Sequence, residues 1–227
     1  RVGCADRGRT DEVDPDACAR LRAARVAANL SLREVSRRVG ISASMLSQIE
    51  NGHAQPSVAT LYALVSTLSL SLDELLTGNP RHGNRPVAPV VTADDRATLV
   101  MDTGVTWERL TPGPDPMVDA LLVTYPPGSS SSSGGGLMSH AGREYGFLLS
   151  GRLTVHLGFD TFVIEAGSSV SFDSAIPHAY INEGTEPARG LWHVVGRNAS
   201  PSQDAQSAPA FPGWISGEAD DRPERSG

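Results

Sequence analysis

The chain contains no lysine: all 19 of its basic residues are arginine. Together with abundant alanine, glycine and proline, this points to a GC-rich genome, so arginine content by itself signals no function. Cysteine is nearly absent. Cys4 and Cys18 have no CxxC spacing and no matching histidine pair, which argues against a zinc site and leaves two reduced thiols. No apolar run approaches the ~18 residues that a membrane helix needs, so no membrane partner is expected. No basic start leads into an apolar stretch. No signal peptide is read, and the expected address is the cytoplasm.

What is present suffices for packed cores. Hydrophobic residues make up 39% of 227, which suits two modest domains. The net charge of −7 is unevenly spread. Residues 20–58 carry six arginines (Arg20, Arg22, Arg25, Arg33, Arg37, Arg38) against Glu34 and Glu50, whereas residues 77–227 are strongly acidic. A basic segment on an acidic chain suggests a local polyanion contact.

Residues 1–15 are polar and expected to be disordered. Over 16–76 the apolar period is helical. Leu21, Ala24 and Ala28 mark a first face, and Leu32, Val35 and Val39 a second. Met45, Leu46 and Ile49 mark a third, Leu61, Leu64, Val65 and Leu68 a fourth, and Leu72, Leu75 and Leu76 a short fifth. Ser31 with Glu34 forms a capping box, Gly40 stops the second helix, and Ser42 and Ser57 cap the third and fourth. Residues 77–95 hold three prolines and read as a linker. From 96 to 196 the pattern changes to short strands broken by Gly and Pro, the signature of a sandwich or barrel. "GSSSSSGGG" at 128–136 reads as a solvated loop, with a flap at a pocket mouth as the alternative. Residues 197–227, including Trp214, lack periodicity and are expected to be a disordered tail.

In "SLREVSRRVGISASMLSQIENG" a short turn joins two helices, and the second begins with small polar residues. This is helix-turn-helix geometry, in which the second helix enters the major groove. Ala43 and Ser44 allow close backbone approach, and Gln48 can pair bidentately with adenine. The segment resembles the Cro/repressor-like (Xre-type) family over about residues 17–76, with "PSVATLYALV" and "LDELL" completing the rhythm. The resemblance implies that Ser42, Ala43, Ser44, Ser47 and Gln48 face DNA and that Asn51 meets phosphate. It also implies that Arg25 and Glu50 form the family's buried ion pair. Arg33, Arg37 and Arg38 are the basic side chains expected near the DNA backbone.

In the β-rich half, "HAGREYGFLLSG" at 140–151 and "IPHAYIN" at 176–182 supply two histidines and a carboxylate, enough either to hold a metal or to line a sensing pocket. The stretch resembles the cupin family: "HAGREYGFLLSG", with His140, Glu144 and the glycine that ends the strand, fits its first motif, and Pro177, His178 and Asn182 its second. The implied fold is a double-stranded β-helix, or jelly roll. Strand alternation turns His140, Glu144, His178 and Tyr180 inward. Two imidazoles and one carboxylate with open positions can hold a divalent ion such as Zn, Fe, Ni or Mn. Four-ligand cupins carry another histidine two residues before His140; here that residue is Met138, a poor ligand and a better apolar wall.

The expected whole is therefore a multidomain α plus β protein, a five-helix DNA-binding domain followed by a cupin barrel. The leading functional expectation is a transcription regulator that binds a double-stranded operator as a homodimer and senses a small effector, with or without a metal. A non-haem iron enzyme resembling hydroxypropylphosphonate epoxidase is the alternative, and a cupin that only dimerises is a further one. His156 and His193 are weaker site candidates, and His53 and His82 are assigned no role.

Overall fold

The structure is a computed structural model and describes residues 15–77, 89–112, 115 and 117–196. The expectations for the N-terminal residues up to 14, for 78–88, for Cys4 and His82, and for the tail with Trp214 lie outside the described residues.

Among the described residues five helices come first: α1 (Pro15–Ala27), α2 (Leu32–Val39), α3 (Ala43–Glu50), α4 (Val58–Thr67) and α5 (Leu72–Thr77). Their ends follow local chemistry. Ser31 Oγ accepts from Glu34 N (3.2 Å) while Glu34 Oε2 accepts from Ser31 N (2.8 Å), so two otherwise unpaired amides are satisfied together. Hydrogen bonds from the Ser31 amide and hydroxyl hold the Glu34 carboxyl below its usual range. Gly40 ends α2 in the left-handed region at φ 81°, where a side chain would be strained. Ser42 and Ser57 cap α3 and α4 through Met45 N (3.0 Å) and Thr60 N (3.2 Å). The apolar faces converge as expected on Leu21, Val35, Leu46, Ile49, Leu64 and Leu75, all buried. Two assignments differ. Met45 is 42% exposed because it lies outside the buried arc of α3, and Ala28 is exposed because α1 ends at Ala27.

A 3₁₀ turn (Ala93–Asp95) leads into nine antiparallel strands among the described residues. β1 (Thr98–Val100), β2 (Thr106–Arg109), β3 (Val118–Tyr125), β9 (Ala188–Val195), β4 (Arg143–Ser150) and β7 (Ser169–Asp173) form one sheet in that order. β6 (Asp160–Glu165), β5 (Arg152–Leu157) and β8 (His178–Ile181) form the other. β1 and β2 were not legible as strands, being only three and four residues long. Along β4, Glu144, Gly146 and Leu148 point inward while Tyr145, Phe147 and Leu149 face out, the alternation of a strand buried on one side. Gly146 is required: a Cβ there would sit 2.9 Å from both the Trp192 ring and Val170.

The serine-rich segment is only partly solvated. Ser129 and Ser131 are buried, Ser131 N donates to Tyr180 O (2.9 Å), and Asn182 N donates to Ser129 O (2.9 Å). The segment's first half therefore runs paired along β8, while 133–136 remain exposed. Asn182 is a structural element: its amide donates to Tyr125 O and Glu186 O (2.8 Å each), and its carbonyl accepts from Gly184 N. No helix among the described residues is long and apolar enough to cross a membrane.

The helices also touch the barrel. Asp102 N donates to Pro56 O (3.1 Å) and Ala59 N to Ser131 O (2.9 Å). Buried residues form one contiguous cluster that passes from the helical core through α4 into the barrel.

Candidate nucleic-acid interface and barrel pocket

On the helical domain, α2 and α3 are joined by the turn at 40–42, and α3 buries Leu46 and Ile49. That leaves Ser42, Ser44 and Gln48 exposed on its outer side, with Ala43 and Ser47 half-buried. Arg33, Arg37 and Arg38 are exposed on α2 beside it. Asn51 is exposed, and its amide already donates to Ser47 O (2.7 Å), so a phosphate contact would have to share or replace that bond. Arg25 reaches across from the end of α1 to the end of α3. Its Nε and Nη2 donate to the two Glu50 oxygens at 2.6 and 2.8 Å, and Nη1 donates to Leu30 O at 3.0 Å. Hydrogen bonding to Glu50 outweighs desolvation and raises the Arg25 pKa further.

Inside the barrel, Glu144 comes from β4 of the larger sheet and His178 and Tyr180 from β8 of the smaller one. His140 lies in the segment before β4, its amide held by Ser174 O (3.0 Å). His140 Nε2 and His178 Nε2 approach the same oxygen, Glu144 Oε1, at 2.9 and 3.0 Å. Neither approach is aligned as a hydrogen bond, and all three atoms lack a hydrogen-bond partner although buried. The other ring nitrogens face backbone carbonyls, His140 Nδ1 at Ala141 O (3.1 Å) and His178 Nδ1 at Ile176 O (2.7 Å). Those carbonyls require a proton on Nδ1, which turns each Nε2 lone pair toward the carboxylate unless Nε2 is also protonated. Three buried acceptors converging on one point need a cation between them, a proton or a metal.

The spacing suits a metal. Two ligand atoms at about 2.1 Å and right angles around an ion lie about 3.0 Å apart. The three ligand atoms all fall within 4.8 Å of one another. Burial pushes the Glu144 carboxyl up, but the close approach of the His140 and His178 rings outweighs it and holds it down to about 2. Its second oxygen is fixed from behind: Trp192 Nε1 donates to Tyr180 Oη (3.1 Å), and Tyr180 Oη donates to Glu144 Oε2. Burial and the Glu144 charge raise the Tyr180 pKa, so the phenol keeps the proton it donates. Met138 is buried beside the cluster, paired to His178 by two backbone hydrogen bonds of 2.8 Å. His156 and His193 lie elsewhere, half-buried, with His156 Nδ1 on Thr161 Oγ1 (3.0 Å).

Several pocket residues escaped the sequence reading, among them Tyr62, Trp107, Tyr125 and Trp192. Trp107 of β2 and Tyr62 of α4 are both buried, and the Tyr62 ring stacks on His140 with centroids 4.1 Å apart. Tyr62 sits at an i+4 position from Val58 in an otherwise ordinary core helix, so nothing in its spacing announced a second role.

Residues 21–75 match the helix-turn-helix family model and residues 121–194 the cupin domain model. The chain therefore joins an Xre-type helix-turn-helix domain to a C-terminal cupin domain. It is homologous to the HTH-type transcriptional regulator PuuR of Escherichia coli (strain K12), at 28% identity over 154 residues covering 67% of this chain and 80% of PuuR. A transcriptional regulator of the same helix-turn-helix family from Vibrio cholerae shares the fold, with TM-score 0.58 and 23% identity over 80% of this chain and 95% of that one. Hydroxypropylphosphonic acid epoxidase from S. wedmorenis is a more distant neighbour: TM-score 0.41 and 20% identity, covering 82% of this chain and 100% of the epoxidase.

Proposed function

We propose that this protein is a cytoplasmic, sequence-specific transcription regulator that binds an operator as a homodimer and whose barrel senses a small effector. The observation that carries the reading is the exposed polar side of α3, with Ser44 and Gln48 outward, on the same chain as an enclosed His–Glu–His cluster. A helix serving only for packing would bury that side. Ser42, Ala43, Ser44, Ser47 and Gln48 reach base edges, Arg33, Arg37 and Arg38 meet the phosphates, and Asn51 trades its bond to Ser47 for one to phosphate. In a dimer the two reading helices meet two half-sites related by two-fold symmetry. A divalent ion, when bound, would be held by His140 Nε2, His178 Nε2 and Glu144, and would supply open positions for an effector's oxygen or nitrogen atoms. Tyr180 orients the carboxylate, and Met138 supplies an apolar wall.

The test combines selection of DNA from a random duplex pool with metal analysis of the purified full chain. Enrichment of a two-fold symmetric site, with tight binding of one equivalent of metal lost on replacing His140 and His178, supports the reading. Iron-dependent turnover of a small substrate by a protein that enriches no DNA sequence would overturn it in favour of an enzyme.

A further inference from the structure

The pocket's wall is shared between the domains. Val58 and Tyr62 of α4 line it together with Trp107, Met138 and Glu144. Tyr62 stacks on His140 and meets Trp107 edge-on with centroids 5.3 Å apart. Both α4 residues are buried, Val58 at 1% and Tyr62 at 4% exposure. The same buried arc of α4 continues through Val65 and Leu61 to Leu64, which belong to the helical core. One rigid helix is thus both a core element of the DNA-reading domain and the cover of the cluster.

The cavity behind this wall measures about 20 Å³. That is room for about one water molecule. An ion fits beneath Tyr62, but an organic molecule of several heavy atoms does not, because close-packed aromatic and aliphatic walls do not yield that much space.

We propose that α4 is the moving lid of the pocket, with Tyr62 as its positioning residue. An organic effector enters only when the DNA-reading domain lifts from the barrel. The proposal rests on the sensing function above and supplies its mechanics. The contacts that must break include Ala59 N to Ser131 O, Asp102 N to Pro56 O, the packing of Tyr62 on His140 and Trp107, and the apolar contacts of Val58 and Tyr62 with the barrel. The effector binds the lifted arrangement better, and operator binding that prefers one arrangement must in turn alter pocket opening, since coupling is reciprocal.

The test reads pocket opening without any effector. Metal-stripped full-length protein is treated with diethylpyrocarbonate, and carbethoxylation of His140 is followed by mass spectrometry, with half-buried His193 as internal reference. Tyr62→Leu is expected to raise the His140 rate at least five-fold with the His193 rate unchanged. A second variant carries Ala59→Cys and Ser131→Cys, at positions already joined by a backbone hydrogen bond, with Cys4→Ser and Cys18→Ala to prevent mispairing. Its oxidised form should label His140 at least ten-fold more slowly than the same protein with blocked thiols. Saturating operator duplex should change the His140 rate at least three-fold in the wild type and leave it unchanged in the oxidised variant. Equal rates in the oxidised and thiol-blocked forms would show that the lid does not move and would overturn the proposal. So would a DNA effect that persists in the oxidised form, since that is direct shielding. A protein that enriches no DNA sequence defeats the regulator reading, whereas the lid stands or falls on the labelling rates of the two variants alone.

Discussion

Removing either partner of the Arg25–Glu50 pair should destabilise the helical domain, but by unequal amounts. The pair joins the last turn of α1 to the last residue of the reading helix α3. The Glu50 side chain is 4% exposed and that of Arg25 13%. In Glu50→Ala the guanidinium keeps its bond to Leu30 O and lies near enough to solvent to recruit water. The loss is then close to that of charged hydrogen bonds alone, about 2 kcal/mol. In Arg25→Ala the carboxylate stays buried with no cation, and Leu30 O loses a donor. That situation costs about 3–5 kcal/mol. Urea unfolding followed by circular dichroism at 222 nm measures both, and the double variant should show the two losses to be non-additive by about 1–3 kcal/mol. A larger loss for Glu50→Ala than for Arg25→Ala, or losses below about 1 kcal/mol for both, would refute the reasoning and show the pair to be effectively solvated.

Three further outcomes are expected. Gln48→Ala should weaken operator binding by roughly 1–3 kcal/mol and relax preference at one base position, whereas Arg37→Ala should weaken all sequences alike and lower the salt slope by about 1; fluorescence anisotropy against salt distinguishes them. Gly146→Val forces side-chain atoms into the Trp192 ring, where even a Cβ would sit at 2.9 Å, and should cost about 1–3 kcal/mol with altered tryptophan emission. Because the folded protein holds the Glu144 carboxyl down to about 2, from an ordinary 4.5, its contribution to stability is fully present above pH 4.5 and lost as pH falls toward 2. The unfolding midpoint of metal-free wild type minus that of Glu144→Gln should therefore shrink as pH falls from 4.5 toward 2; a constant difference across that window would show that the cluster does not hold the carboxylate's charge.

Much of this protein was legible residue by residue. Helix ends at Ser31, Gly40, Ser42 and Ser57 follow from hydrogen bonds made within four residues, and such chemistry does not depend on the rest of the chain. The inward parity of Glu144 with Gly146, and of His178 with Tyr180, follows from the two-residue repeat of a strand. The short strands β1 and β2 were not legible, because three or four residues carry too little pattern and gain their stability from pairing with β3. The buried serines of the 128–136 segment were misread for a related reason: their polarity suggests solvent, but their backbone is paired along β8. Only the tertiary structure decided that both histidine nitrogens aim at one carboxylate oxygen, since that depends on how the segment before β4 meets the opposite sheet. It also decided the place of Tyr62, 78 residues before the histidine it stacks upon. A helix's own period says which side is buried but not against what, and here that side is divided between the DNA-reading core and the barrel pocket.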